Sequence, residues 1–100
     1  MQCDLSGANL SNKDLSHAGL SNANLSGANL SYSVLRSTDL TNANLSNAKL
    51  RYTKMWGTNL SDANLTGAEL IAAELSHAAL TGATWVNGCK CTTADCSNCK

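Results

Sequence analysis

The sequence predicts an all-β solenoid, a chain wound into coils that stack as parallel strands. Two observations carry this expectation. A leucine falls on every fifth position from Leu5 to Leu80, with Met55 the one exception, and a small residue, usually Ala, stands two places before it. In a helix each residue advances about 100°, so successive leucines would stand about 140° apart and no apolar stripe would form. A long flat strand alternates sides every two residues, and an odd period would send successive leucines to opposite faces. What remains is a short strand followed by a corner. The small residue, the Asn or Asp, and the Leu run in, out, in as a three-residue strand, and the next two residues turn. Asn, Gly, Ser, Asp and His fill the second corner position, which suits a tight turn. Repetition of the phrase winds the solenoid.

The phrase is clearest in Ala23-Asn24-Leu25-Ser26-Gly27-Ala28-Asn29-Leu30 and in Ala63-Asn64-Leu65-Thr66-Gly67-Ala68-Glu69-Leu70. It resembles the phrase of the pentapeptide repeat family, Ala-(Asp/Asn)-Leu-x-x, and the resemblance covers roughly residues 3–86. It implies a right-handed four-sided parallel β-helix with four pentapeptides per coil, hence about four coils in residues 1–88 and a short cysteine-rich tail in 89–100. Residues twenty apart should then stack. Lys49 falls on Glu69, Lys54 on Glu74, Tyr32 on Tyr52 and Arg36 on Trp56. Opposite charges, an aromatic pair and a cation–aromatic pair are what neighbouring strands favour.

In chain order, residues 1–20 make the expected first coil, which opens without a helix or loop ahead of it. Cys3 and Lys13 occupy its inward positions. A lysine there either snorkels out of the open mouth or guards an exposed edge against strand addition. Residues 21–40 are regular on two sides and irregular at Ser33, Val34, Arg36 and Thr38. Residues 41–60 carry Lys49, Arg51 and Lys54, and residues 61–80 carry Asp62, Glu69 and Glu74, so stacking neutralises the two coils. Residues 81–88 begin a further coil, with Trp85 at a leucine position as a lid on the core.

Composition narrows the function. Formal net charge is zero, which gives no electrostatic case for nucleic acid or an anionic membrane. A DNA-mimicking rod, known for some members of the family, needs strong acidity that this chain lacks. Proline is absent, as expected where every coil donates its amides to the next. No run approaches the ~20 apolar residues of a membrane span, and no basic-then-apolar leader opens the chain. Serine recurs at corners without a local His or acid partner, so no triad is indicated. Neither a phosphate loop nor a paired-carboxylate site appears. His17 and His77 share a column but stand three coils apart, about 14 Å at ~4.8 Å per strand, too far for one metal.

The tail holds four of the five cysteines, Cys89, Cys91, Cys96 and Cys99. From spacing alone two readings stand: four thiolates holding a tetrahedral zinc, with Cys96-x-x-Cys99 as a knuckle, or two disulfides pinning the tail over the open coil. The stretch from Ala83 to Gly88 followed by cysteines also looks like the closing segment of many pentapeptide repeat proteins, which end in a Thr-Trp-x-(Asp/Asn)-Gly phrase and two cysteines eight residues apart. That resemblance implies a Cys91–Cys99 disulfide; Cys89 and Cys96 are an addition to the pattern, so three pairings stay open, with Cys89–Cys96 the expected second bond, no cofactor expected and zinc the alternative. Disulfides imply a periplasmic or extracellular setting.

The expected function is a non-catalytic structural or protein-interaction module, with zinc binding through the tail as the alternative. The exposed cluster Tyr32, Arg36, Arg51, Tyr52 and Trp56 is the candidate partner surface, since aromatics and Arg anchor interfaces. Self-association is expected through an end coil, where Cys3 and Lys13 lie, as a two-fold dimer in preference to a filament. Neither nucleic acid nor membrane is an expected partner.

Overall fold

In the computed structural model, backbone bridges join residues twenty apart along four columns. One column runs Asp4, Asn24, Asn44, Asn64 and Thr84. The others begin at Asn9, Asp14 and Gly19 and rise to Glu69, Glu74 and Ala79. All these contacts are parallel. The structure describes residues 3–100; Met1 and Gln2, at the head of the expected first coil, lie outside the described residues. Among the described residues no helix is long and apolar enough to cross a membrane.

Each face is a single bridged residue rather than the three-residue strand expected from the sequence. The corner arrives after two more residues and stops any longer ladder. Around every bridge two backbone bonds alternate. The Leu25 amide donates to the Asn44 carbonyl (2.7 Å), and the Asn44 amide donates to the Ala23 carbonyl (2.9 Å). Corners close on themselves, as where the Ala28 amide donates to the Leu25 carbonyl at 3.0 Å. They also stack on the next corner, as where the Gly27 amide donates to the Ser46 carbonyl at 2.9 Å. The second corner residue takes positive φ, 64° at Asn22 and 61° at Asn42, which is the type II turn geometry that favours Gly and Asn. At Gly67, φ is 73°, and an added Cβ would run into the Asn47 side chain one coil below.

The inward positions form one core. Leu25, Leu30, Leu35, Leu40, Leu45 and their successors through Leu65 are fully buried, with the small residues Ala23, Ala28, Ala43 and Ala48 between them. Leu5, Leu10, Leu15 and Leu20 are only half-buried, because nothing among the described residues covers that end. Lys13, at an inward register position, is exposed there, as a side chain that reaches out of the open mouth would be. Ser33, Thr38, Thr53 and Thr58 replace Ala at buried inward positions. Each hydroxyl donates to a backbone carbonyl, for example Thr53 Oγ1 to Leu50 O at 2.9 Å, so no buried side-chain polar atom lacks a partner among the described residues.

The outward Asn and Asp serve the corner that follows them. Asp4 Oδ1 accepts from the Ser6 amide (3.1 Å) and Ser6 Oγ (2.8 Å), and Asp39 accepts from Thr41 in the same way. These hydroxyl and amide donors hold the Asp4, Asp14 and Asp39 carboxyls below their usual range. The repeat accepts Asn or Asp because both present the same oxygen.

Two expectations follow. Leu45→Ala empties a fully buried site and should cost about 2–5 kcal/mol, whereas half-buried Leu5→Ala should cost clearly less; equal losses in denaturant titrations would contradict a core that opens at that end. Since the three carboxyl pKa values are lowered by folding, their contribution is complete above about pH 4 and is lost as pH falls through the folded values. The triple variant Asp4→Asn, Asp14→Asn, Asp39→Asn keeps the acceptors and should show a shallower loss of unfolding midpoint below that pH. An unchanged slope would count against the assignment.

Candidate functional site

Tyr32 and Tyr52 occupy the second position of one corner, at φ 63° and 59°. Left-handed backbone is unusual for bulky residues. Their rings stack at 4.9 Å between centroids and 7° between planes. They remain 58% and 49% exposed, and Ile71, on the same corner one coil further, is 57% exposed. These are all the exposed large apolar side chains among the described residues. The shared corner is fixed by backbone bonds, Tyr32 amide to Arg51 carbonyl (2.9 Å) and Tyr52 amide to Ile71 carbonyl (3.0 Å).

The next corner carries the second aromatic group. The Arg36 guanidinium sits 4.7 Å from the Trp56 ring centroid and Lys54 Nζ 5.7 Å from it. Trp56 Nε1 donates to Glu74 Oε1 at 3.0 Å. Between the two corners lie the outward residues Val34, Lys54 and Glu74, which are bridge neighbours. The structure thus brings Tyr32, Arg36, Arg51, Tyr52 and Trp56 together on two adjacent corners flanking one face. Lys49 and Glu69 are bridge neighbours on the preceding face. Ile71 escaped the sequence reading; its only signal was a large apolar residue at a corner position.

The tail folds back over the last coil. Lys90 bridges antiparallel to Thr84. The Trp85 amide donates to the Cys89 carbonyl (2.7 Å), Gly82 to Cys91 (2.9 Å) and Leu80 to Ala94 (2.8 Å). Trp85 is buried, and Lys100 Nζ lies 4.9 Å from its ring centroid. The disulfides join Cys89 to Cys99 and Cys91 to Cys96, with Cα separations of 5.7 and 4.7 Å. This corrects the expected Cys91–Cys99 and Cys89–Cys96 pairing. The chain reverses between Cys91 and Cys96, with the Cys96 amide donating to the Thr93 carbonyl at 3.1 Å. Reversal nests a short inner pair inside an outer one, and the expected pairing would have to cross. Cys91 and Cys96 join the buried core, and Cys89 and Cys99 pack half-buried against it.

Other candidates do not assemble. His17 and His77 are exposed corner residues, and Cys3 is an exposed free thiol. His77 lines a cavity of about 420 Å³ between the tail and the last coil, together with Leu75, Leu80, Asp95 and Lys100. Thr93 and Ser97 donors lower the Asp95 carboxyl pKa there.

The chain matches the repeat pattern described as Pentapeptide repeats in eight copies, over residues 1–31, 18–57 and 53–84. No curated protein matches it. It is similar to alr5209, a pentapeptide repeat protein from Nostoc Pcc 7120, at 46% identity and a TM-score of 0.69 over 70% of this chain and 58% of that one. It is also similar to QnrB1, a plasmid-mediated fluoroquinolone resistance protein, at 25% identity and a TM-score of 0.64 over 81% of this chain and 40% of that one. The chain therefore spans less than two thirds of either protein's length. Such proteins form a right-handed quadrilateral β-helix and are generally non-enzymatic.

Non-reducing peptide mapping, with backbone fragmentation between Cys96 and Cys99, should recover Cys89–Cys99 and Cys91–Cys96. Recovery of Cys91–Cys99 would restore the pairing that the family resemblance implied.

Proposed function

The chain belongs to the pentapeptide repeat family, and from that premise we propose that it is a non-catalytic protein-interaction module binding through the Tyr32–Tyr52 corner. The observation that carries this reading is where the two tyrosines stand. Left-handed backbone costs a residue other than Gly about 1–2 kcal/mol, and two tyrosines incur that cost. An aromatic pair gives back only about 0.5–1.5 kcal/mol. Folding alone is better served by Asn or Gly, the residues found at Asn22, Asn42 and Gly67. The rings are instead held rigid, stacked and exposed beside Arg51 and Ile71, the composition of an interface anchor. Arg36 and Arg51 favour a protein partner that presents acidic side chains around an apolar segment.

About four coils of the right-handed helix supply the rigid scaffold, and the disulfide-pinned tail supports placement in an oxidising compartment. A neutral chain gives no support for DNA mimicry. Self-association through the coil ends is a second reading. It is favoured by Asp4, Asn9, Asp14 and Gly19, each of which bridges on one side only among the described residues, leaving edge groups able to pair. Light scattering across a concentration series should then show dimers. A monomer at every concentration would leave only the corner reading.

The double variant Tyr32→Asn, Tyr52→Asn separates folding from binding. Its stability should match or exceed that of the parent, because Asn suits the corner. A photo-crosslinking residue introduced at Arg51 should give a discrete adduct that the double variant loses, while the same probe at Asn42 gives none. A loss of more than about 1.5 kcal/mol in the double variant, or equal adducts from both positions, would return the tyrosines to a structural role.

A further inference from the structure

We propose that the four tail cysteines, once reduced, form a tetrathiolate site for one zinc ion, so that the same cap closes the solenoid in either redox state. The sulfurs of Cys91, Cys96 and Cys99 lie within 4.8 Å of one another, and the Cys89 sulfur is bonded to that of Cys99. All four therefore share one small volume. Zinc–sulfur bonds of about 2.3 Å in a tetrahedron place the sulfurs about 3.8 Å apart, a spacing that this cluster reaches by side-chain rotation.

Hydrogen bonds hold the frame around the sulfurs alongside the disulfides. Asn98 Nδ2 donates to the Lys90 carbonyl and Asn98 Oδ1 accepts from the Thr92 amide, both at 3.0 Å. Asn87 Oδ1 accepts from the Cys89 amide at 3.0 Å, and Asn87 Nδ2 donates to the Cys99 carbonyl at 3.3 Å. Backbone bonds from Trp85 to Cys89, from Gly82 to Cys91 and from Cys91 to Ala83 hold the incoming strand. The Cys99 amide donates to the Cys96 carbonyl at 3.0 Å, closing the turn of the Cys96-x-x-Cys99 pair. Reduction leaves this frame in place and four thiols facing one another.

Charge and burial agree with the assignment. Four thiolates on a divalent ion leave a net charge of about −2, and Lys90 and Lys100 directly follow Cys89 and Cys99. Cys91 and Cys96 are buried while Cys89 and Cys99 are half-buried, so the ion would be shielded on its inner side and reached from outside. The chemistry balances with a dithiol reductant. Each disulfide accepts two electrons and two protons to give two thiols, and the reductant leaves as its own disulfide. Zinc then displaces the four thiol protons as it binds.

The test uses the whole chain carrying Cys3→Ser, so that only the tail thiols remain. Reduced with a dithiol and desalted without oxygen, it should bind one cobalt(II) per chain with the visible bands of a tetrahedral tetrathiolate. One equivalent of zinc should displace the cobalt, and native mass spectrometry should show one zinc per chain. The disulfide form should bind none. Adding Cys91→Ser and Cys96→Ser should abolish the bands. The milder Cys89→Ser, at a half-buried position, should retain binding with the altered spectrum of three sulfurs. Absence of stoichiometric metal in the reduced Cys3→Ser protein would overturn the proposal, as would bands that survive the Cys91/Cys96 double change.

Discussion

Closure of the coil after twenty residues is the constraint on which the structure depends. Four corners must each redirect the chain onto the next face in two residues while their amides still reach the next coil. The corner amides do so, as at Gly27 and Ser46, and a left-handed second residue makes the geometry possible. Inward Leu and Ala, outward Asn and Asp, and corner Ser and Thr then follow. Leu and Ala fill a narrow bore, where they are buried. The outward carboxamide or carboxylate accepts the corner amide and hydroxyl, as in the Asn24–Ser26 pair. The absence of proline belongs to the same constraint, because each coil lends its N–H groups to its neighbour.

A structure this repetitive makes its exceptions informative. Ser33, Thr38, Thr53 and Thr58 stand where Ala is the rule, and each returns its hydroxyl to a backbone carbonyl. These exceptions are absorbed by the fold. Tyr32 and Tyr52 are not absorbed in that sense: the stack compensates part of the corner cost, and both rings stay exposed. The proposed binding surface therefore lies where local preference and global fold disagree. The tail is the other departure. It ends the repeat by turning antiparallel onto Thr84 and delivering Cys91 and Cys96 into the core.

The register was legible in the sequence because a five-residue period with a fixed inward residue admits few geometries. Four pairs twenty residues apart recur in the structure: Tyr32 on Tyr52 as a ring stack, Arg36 on Trp56 as a cation–ring contact, and Lys49 on Glu69 and Lys54 on Glu74 as bridge neighbours. The candidate surface was legible for the same reason, since column and corner follow from position in the repeat. Ile71 was not, because a lone apolar corner residue carries no pattern. The cysteine pairing was not legible either. It is decided by a reversal near Thr93 that has no periodic signature, and spacing carried over from a resemblance pointed to a crossed arrangement. Lys13 holds an inward register position, and its side chain reaches solvent at the half-covered end coil.

Scalar couplings across hydrogen bonds, measured by NMR on isotopically labelled protein, test the twenty-residue coil most directly. The account predicts that the Leu25 and Leu45 amides couple to the carbonyl carbons of Asn44 and Asn64, and that the Asn44 amide couples to that of Ala23, as the backbone bonds require. Couplings that link these amides to carbonyls at any other sequence separation would contradict the four-sided coil and every surface assignment built on it.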